Sequence, residues 1–355
     1  MKKTKTLIYV TQLLESGGIE SHLKEFCRNM NSEEMELSLI VGYYKGDNKT
    51  KVYYQSICKN AWFIQSKYAP IRLLTLLLKI WFLRREQFET LYTNGQGKSI
   101  WHVGKLLGKK IHWVHHHHTS GDELDQASWP NEYSLAMKKC QAVIACAKPN
   151  ALNIAQVLGK DVLNIPCFSV SLEPKKNEYP AAGRVNLGYY GRLIKEKGIE
   201  LMCKLSQDKD LTEIDFYIWG KGANFPPAYF NEYPINYMGH FSSTEALNGI
   251  IQSLDGFILL SEHPEGLPIS LLEVMSSGLP WLATNKGGIH DLSIDPNLNM
   301  IISSDTDYAS IKRHLLNFVA SIKNGNTNRL QQIEKYQLEY AVKAIKNQWQ
   351  IVLGH

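Results

Sequence analysis

The sequence lacks the signatures of three common protein classes. Its six cysteines form no CxxC pair and show no metal-ligand spacing, so we expect reduced, mostly buried thiols. The first predicted strand-to-helix turn contains no GxGxxG, which argues against a nicotinamide dehydrogenase. The leucine-rich run at residues 69–83 is shorter than the roughly 20 residues that span a bilayer. It predicts a helix packed on a sheet or, alternatively, a helix that lies at a membrane surface.

The chain also lacks a strong charge of either sign. Lys and Arg number 39 against 34 for Asp and Glu, which gives a formal net charge of +5. This mild excess fits an anionic ligand or an anionic membrane surface, but it is far from the basic patch of a nucleic-acid-binding protein. The apolar run at residues 7–10 is too short for a signal peptide. We therefore expect a cytoplasmic protein that can contact the inner face of a membrane peripherally and binds no nucleic acid.

What the sequence does contain is a repeated alternation of strand-length apolar runs and helical segments. At 355 residues, 44% of them hydrophobic, the chain is long enough for two domains. The alternation predicts parallel βα units, and hence an α/β protein of two doubly wound Rossmann-like domains. We expect an N-terminal domain at 1–170, a linker at 171–183, a C-terminal domain at 184–332 and a final helix at 333–355 that crosses back. The expected strands are 6–10, 36–41, 89–93, 110–114, 141–145, 161–165, 184–190, 214–219, 235–238, 256–260, 279–283 and 300–302.

The segment SEHPEGLPISLLEVMSSGLP, residues 261–280, carries the clearest chemical pattern. It predicts a strand end, a glycine turn and a helix that stops at Gly278. The free amides at the start of this helix would form an anion site suited to a diphosphate. Glu265 stands before the helix and Glu273 lies inside it, where carboxylates can accept hydrogen bonds from sugar and ribose hydroxyls. The backbone positions expected at the site are Gly266, Leu267, Pro268, Ile269 and Ser270.

A second segment, GYYGRLIKEKG at residues 188–198, places two cations after a strand. The strand is expected to end at Gly191, and Arg192 and Lys197 follow five residues apart across a turn. At this spacing they can converge on one anion, with Arg as a planar fork and Lys as a mobile point charge. The pair is therefore the expected partner of the diphosphate.

With these motifs the chain resembles the retaining GT-B glycosyltransferases of family 4, which include many O-antigen, capsule and lipopolysaccharide sugar transferases. The resemblance rests on SGGIESHL (16–23), GRLIKEKG (191–198), IWGKG (218–222, with Gly220), EGLPISLLE (265–273) and TNKGGIHDL (284–292). It implies that Glu265 contacts the transferred sugar, Glu273 the ribose, and Arg192 and Lys197 the diphosphate. It further implies that Gly17 and Gly18 contact the donor from across a cleft. The last motif departs from the family pattern at His290 and Asp291, where proline and glutamate are usual.

Four consecutive histidines, His115 to His118, follow a predicted strand. In an extended chain His115 and His117 share one face, and His116 and His118 share the other. The family often has a histidine here that faces the donor sugar, so His115 or His117 is the candidate and the other histidines are expected to be solvated. A metal site is not expected, because no Cys, Asp or Glu completes a ligand set at local spacing.

Two Asp-x-Asp tripeptides, 208–210 and 305–307, resemble the manganese motif of unrelated transferases. Neither follows an apolar strand of an N-terminal nucleotide fold, so we interpret both as turns. We therefore expect no cofactor and no divalent metal.

The predicted activity is transfer of a hexose or N-acetylhexosamine, with retention of configuration. The donor is a UDP- or GDP-sugar and the acceptor a saccharide, expected to be lipid-linked, in surface polysaccharide synthesis. Two alternatives stay open: a nucleotide-sugar epimerase on the same fold and a non-catalytic sugar-nucleotide-binding subunit.

Overall fold

A computed structural model describes residues 3–14, 17–108, 110–175, 183–325 and 329–354. The chain divides into two compact units. The first contains residues 1–168 together with 342–355, and the second contains residues 169–341. Each unit has its own sheet and is described separately.

The first unit is built on a seven-stranded sheet in the order β3-β2-β1-β4-β5-β6-β7. All neighbouring strands are parallel, and the strand order reverses between β1 and β4. Ligands bind at such reversals in open α/β sheets, beyond the carboxyl ends of the strands. The strands are β1 Thr4–Val10, β2 Met35–Val41, β3 Asn60–Phe63, β4 Thr90–Asn94, β5 His112–His117, β6 Ala142–Ala145 and β7 Leu163–Asn164.

Helices cover both faces of this sheet. Alternate residues of β1 show why, because Ile8 and Val10 join one core cluster whereas Leu7 and Tyr9 join the other. This period of two is the side-chain alternation of an extended strand, and a strand buried on both faces reads as a continuous apolar run. The helices are α1 Gly18–Met30, α2 Asn48–Ile57, α3 Ala69–Leu83, α4 Ser99–Leu107, α5 Glu123–Ala127, α6 Asn131–Lys139, α7 Lys148–Leu158 and, after the return of the chain, α13 Val342–Val352.

The second unit repeats the plan with six parallel strands in the order β10-β9-β8-β11-β12-β13. The reversal lies between β8 and β11. The strands are β8 Val185–Arg192, β9 Ile214–Lys221, β10 Asn236–Tyr237, β11 Gly256–Leu259, β12 Trp281–Thr284 and β13 Asn299–Ile302. The helices are α8 Ile199–Ser206, α9 Thr244–Ser253, α10 Ile269–Ser277, α11 Tyr308–Lys323 and α12 Arg329–Glu339.

The two doubly wound sheets confirm the predicted fold class. One strand, β3, was not predicted. The N-terminal domain was expected at 1–170, and the first unit contains residues 1–168 together with 342–355. In the expected linker, Leu172 donates its N–H to Ser276 Oγ at 2.8 Å and Lys175 donates its N–H to Ser277 O at 2.8 Å. These residues therefore lie along α10 of the second unit, whereas 176–182 fall outside the described residues. The chain re-enters the first unit at Val342.

Within the described ranges, every helix is too short or too polar to cross a bilayer.

Candidate active site at the edge of the second sheet

The turn after β8 brings Lys197 to the carboxyl edge of the second sheet. A single 3-10 turn over Lys195–Lys197 ends at Gly198, which has a positive φ of 73°. A Cβ at Gly198 would lie 2.1 Å from the carbonyl oxygen of Leu260. Only glycine therefore allows this turn to pack directly against the chain at the end of β11.

Lys197 forms an ion pair with Glu265 in that neighbouring segment, with Lys197 Nζ donating to Glu265 Oε1. Ser261 Oγ donates a second hydrogen bond to the same oxygen at 2.6 Å. Glu265 is only 5% exposed. Burial raises the pKa of this carboxyl, but Lys197 and Ser261 together hold its pKa below the usual range. Glu265 is therefore an ionised carboxylate in a largely dry position.

A second loop fixes the position of Glu265. Gly287, which begins the turn after β12, has a φ of 53°, and a Cβ there would lie 1.8 Å from the carbonyl oxygen of Glu265. Gly288 donates its N–H to Gly266 O at 2.9 Å. The two glycines of the motif TNKGG therefore allow this turn to pack directly against the segment EGLP. His290 and Asp291 lie in the short 3-10 helix Gly287–Leu292.

Helix α10 follows the EGLP turn and ends at Gly278, as the sequence predicted. Pro268 is the N-cap residue and Ile269 is the first helical residue, while Gly278 ends the helix in a left-handed conformation with a φ of 72°. Glu273 is 7% exposed. Tyr190 Oη lies 3.2 Å from Glu273 Oε2 and 3.0 Å from Ser270 O. The first turn of α10 is therefore tied to the end of β8.

Arg192 and two glycines complete this edge. Gly191 and Gly220 face each other in the register of β8 and β9, and a Cβ at Gly220 would lie 1.9 Å from Gly191 O. Arg192 is partly exposed, and its guanidinium has no hydrogen bond or ion pair with any other residue that the structure describes. One charged donor at the edge is thus available to an anion while the other is held by Glu265.

The structure brings the predicted residues of the second unit to one sheet edge. These are Gly191, Arg192, Lys197, Gly220, Glu265, Gly266, Leu267, Pro268, Ile269, Ser270 and Glu273. The sequence analysis missed three neighbours, Tyr190, Ser261 and His263. Ser261 and His263 lie within four residues before Glu265 in the segment at residues 261–280, so their position in the sequence was a usable signal. Burial lowers the pKa of His263, and the charges of Lys197 and Arg192 add to this against the raising effect of Glu265.

Comparisons with known proteins give a family-model match and a shared fold. Residues 173–337 match the family model described as "Glycosyl transferases group 1". Solved structures match over nearly the full length of the chain. The chain has the GT-B fold. A structure of S. aureus TarM in complex with fondaparinux, α-GlcNAc-glycerol and UDP is 11% identical, with a TM-score of 0.78 over 99% of this chain and 100% of that one.

Two further structures with the GT-B fold show the range of relatives. Anabaena HepE in complex with UDP-glucose is 14% identical, with a TM-score of 0.74 over 98% of this chain and 99% of that one. The lipopolysaccharide outer core galactosyltransferase WaaB is 18% identical, with a TM-score of 0.72 over 98% of each chain. The search of curated proteins gave no match. At these identities the likeness establishes the fold.

His115 and His117 do not present a free ring nitrogen to a ligand, contrary to the sequence-based expectation. Both side chains are fully buried. His115 lies 2.9 Å from Thr93 Oγ1 and 2.8 Å from Tyr133 Oη, and His117 lies 2.7 Å from the same Tyr133 oxygen. Asp125 Oδ2 is 2.8 Å from His117 Nε2. All four ring nitrogens are thus used inside the first unit.

These contacts can be assigned as one directional chain of hydrogen bonds. Thr93 donates to His115 Nδ1, His115 Nε2 donates to Tyr133, Tyr133 donates to His117 Nδ1, and His117 Nε2 donates to Asp125. In this assignment Asp125 Oδ2 accepts from His117 and also from Thr119 Oγ1 at 2.6 Å and the N–H of Gly121 at 2.9 Å. Burial raises the pKa of Asp125, but the hydrogen bonds from His117 and its neighbours hold its pKa far below the usual range.

The other two histidines lie on the opposite face, as the alternation predicted, but they are not simply solvated. His116 is fully buried, and His116 and His118 meet Cys146 and Cys167. Burial lowers the pKa of His116 to about 4, so its ring is neutral. The hydrogen bond with Cys167 holds the pKa of the Cys146 thiol below its usual range against the effect of burial. A metal site was not expected because local spacing offers no complete ligand set. In the structure, two cysteines from distant positions complete a possible set.

The remaining predicted features have structural roles or stay predictions. Asp208 caps a short turn and accepts from Asp210 N–H at 3.0 Å, and Asp307 caps α11. Both tripeptides are therefore turns, as expected. Gly17 is the N-cap of α1 and Gly18 its first residue. Their contact with a donor stays a prediction, and Ser16 of the same motif falls outside the described residues.

Proposed function

We propose that this protein is a glycosyltransferase that moves a hexose or N-acetylhexosamine from a UDP- or GDP-sugar to a saccharide acceptor. The observation that carries the proposal is the ion pair of Lys197 with the buried Glu265, beside the available guanidinium of Arg192. Two cations suit a diphosphate, and a buried carboxylate next to them suits a neutral, hydroxyl-rich group. A nucleotide-diphosphate sugar combines both chemistries in one ligand.

In the proposed reaction the diphosphate is the leaving group. Arg192, Lys197 and the first amides of α10 offset the charge that develops on it. Glu265 accepts hydrogen bonds from the transferred sugar, and Glu273 accepts them from the ribose. When the donor binds, Lys197 shares its ammonium between Glu265 and the phosphate oxygens. These cations and amides take the place of a divalent metal, so the transfer step requires none.

We infer retention of the anomeric configuration from the resemblance to family 4. The departing diphosphate oxygen itself takes the proton of the acceptor hydroxyl on the same face of the sugar. The anomeric proton coupling in the NMR spectrum of the product tests this inference, because an α-linked donor should give an α-linked product. A β-linked product would contradict it.

A screen of UDP-, GDP- and ADP-sugars by thermal shift tests the proposed donor class. We expect one nucleotide class to raise the melting temperature of the wild-type protein, with a much smaller shift for Arg192→Ala. If no nucleotide sugar shifts the melting temperature, the donor site is misassigned. If wild type and Arg192→Ala shift equally, Arg192 lies outside the site.

The acceptor is proposed to bind to the first unit and to be lipid-linked, in surface polysaccharide synthesis. The supporting feature is α3, which exposes an apolar row although the sequence pattern favoured a packed helix. Leu76, Ile80 and Leu83 are the buried residues of the same helix. Arg84 and Arg85 follow directly and are exposed. Such a helix can lie in the headgroup region of an anionic membrane. Its most exposed large apolar residues are Ile71, Leu74, Leu78, Trp81 and Phe82, each 51–59% exposed.

A further inference from the structure

Four ligand atoms from distant parts of the chain converge in the first unit. His116 Nε2, His118 Nδ1, Cys146 Sγ and Cys167 Sγ all lie within 4.8 Å of one another. Cys146 Sγ is 3.2 Å from His116 Nε2 and 3.8 Å from His118 Nδ1. Cys167 Sγ is 4.0 Å and 3.6 Å from the same two atoms. The two sulfurs are 3.4 Å apart.

These distances match the edges of a metal-centred tetrahedron. Bonds of about 2.3 Å from zinc to sulfur and about 2.0 Å to nitrogen give sulfur–nitrogen edges of about 3.6 Å and a sulfur–sulfur edge of about 3.8 Å. The four measured sulfur–nitrogen distances lie on both sides of that value. The sulfur–sulfur distance is well beyond the roughly 2.05 Å of a disulfide. The cluster is therefore arranged around a common centre.

We propose that His116, His118, Cys146 and Cys167 bind one Zn²⁺ ion in a closed tetrahedral site. Two thiolates and two imidazoles in tetrahedral array are the ligand set that favours zinc among the common divalent metals. All four positions are filled by protein, so the ion has no open position for water or substrate. The site is structural and takes no part in sugar transfer.

The surroundings of His116 fit this role. A zinc-binding imidazole usually donates its second ring N–H to a neighbour that fixes the orientation of the ring. Tyr92 Oη lies 3.0 Å from His116 Nδ1 and 2.9 Å from His22 Nε2. His22 Nδ1 accepts the backbone N–H of Phe168, the residue after Cys167, at 3.0 Å. One polar network thus connects a histidine ligand with the chain next to a cysteine ligand.

Aromatic side chains enclose the site. The ring of Trp349, from α13, lies 5.0 Å from the ring of His116, and the ring of His22 lies 4.9 Å from it. Phe168 stacks on Trp349 at 6.2 Å. Cys146 and Cys167 are 1% and 2% exposed. His118 is partly exposed, so the shell shields the ion on the side of His116 and the two cysteines.

Zinc at this position would join the carboxyl ends of three neighbouring strands. His116 lies in β5, Cys146 follows β6, and Cys167 lies three residues after the end of β7. The edge strand β7 has only two residues, and both are exposed. The ion therefore supplies a cross-link where the backbone pairing is weakest.

Metal content of the full-length protein tests the proposal. The protein is expressed with zinc in the medium and purified under reducing conditions without a polyhistidine tag. We expect one zinc per chain by plasma mass spectrometry, and less than about a tenth of that in a Cys146→Ser, Cys167→Ser double variant. Cys58→Ser is the matched control, because Cys58 is also buried in the first unit but lies outside the cluster. It should retain one zinc per chain.

Cobalt substitution keeps the test independent of variant folding. The wild-type protein stripped of metal should take up one Co²⁺ and show the visible bands of tetrahedral cobalt with a thiolate charge-transfer band. Addition of zinc should abolish both. The proposal is overturned if the reduced wild-type protein binds neither ion stoichiometrically, or if octahedral cobalt bands appear. Recovery of Cys146 and Cys167 as a disulfide in protein that cannot take up metal after reduction would also overturn it.

Discussion

Single residues at the edge of the second sheet differ mainly in how their charges are compensated. The side chains of Lys197 and Glu265 are only 13% and 7% exposed, and their charges neutralise each other. By contrast, Lys195 is 66% exposed and pairs loosely with Glu200 at 3.8 Å. Exposed pairs of that kind contribute little to stability. The neighbouring lysines of KEK therefore have different expected roles.

Replacement of either diphosphate cation should impair turnover more than folding. We expect Arg192→Ala and Lys197→Ala each to lower kcat about 100-fold or more, since loss of one preorganised donor to a developing charge costs about 3 kcal/mol. Steady-state kinetics with the true donor, alongside circular dichroism, measures this. Lys195→Ala is the control and should keep wild-type turnover. Near-normal kcat in either test variant would refute the placement of the phosphate site.

Asp125 should make the stability of the first unit depend on pH. Because its folded-state pKa is lowered, its contribution is present above the unfolded pKa of about 3.9 and is lost as pH falls below that value. Asp125→Asn should reduce the free energy of unfolding by about 2 kcal/mol at pH 7. The difference from wild type should shrink below about pH 4.

Urea unfolding at pH 7 and at pH 3.5 measures the effect of Asp125→Asn. Asp161→Asn is the matched control, since Asp161 is an exposed carboxyl of the same unit. We expect it to change stability by less than about 0.5 kcal/mol at both values. An Asp125→Asn defect of equal size at both pH values would show that the charge on Asp125 contributes nothing.

Among the described strands, apolar runs predicted every one except β3, which lies at an edge of the first sheet. Strand β2 is buried along its length except at the partly buried Glu36, and it was expected within one residue of its observed start. Strand β3, by contrast, has only four residues, all of them partly buried. Strand β5 extends to His117 because Tyr133 and Asp125 supply the partners that buried histidines need. Those partners lie outside the local sequence window.

Helix α3 is the element that we expect to contact a membrane. Trp81 and Phe82 are 51% and 56% exposed, and their ring centroids lie 5.0 Å apart in a T-shaped arrangement. We expect Trp81→Glu to reduce binding to anionic lipid vesicles at least several-fold, measured by co-sedimentation. Leu124→Glu is the control, because Leu124 is 76% exposed elsewhere in the same unit. Equal binding by both variants and wild type would argue against α3 as the contact.

For the whole molecule, the fold and the donor motifs could be predicted from the sequence, whereas the proposed zinc ligands could not. EGLPISLLE and GRLIKEKG are local patterns, each placed at a strand end by its own turn. Cys167, however, lies 51 residues from His116 and 49 from His118. Only the order of β5, β6 and β7 brings these residues together. Local spacing rules cannot detect such a set.

Chelation should separate the proposed structural zinc from the transfer chemistry. We expect kcat to stay within about two-fold of its starting value after dialysis against EDTA, because Arg192, Lys197 and the amides of α10 serve the diphosphate without a metal. The enclosed zinc should remain bound, as its content before and after dialysis will show. Loss of turnover that Mn²⁺ or Mg²⁺ restores would contradict metal-independent transfer.

The most direct test of the proposed function is the fate of the nucleotide sugar. Wild-type protein is incubated with each nucleotide sugar that it binds in the thermal-shift screen and with an extract of lipid-linked saccharides. The products are separated by chromatography. Sugar transfer predicts release of UDP or GDP in amounts equal to the sugar gained by the acceptor, with at least 100-fold slower release by Arg192→Ala. An intact nucleotide sugar converted to its epimer would contradict sugar transfer. So would a donor that binds tightly and is recovered unchanged.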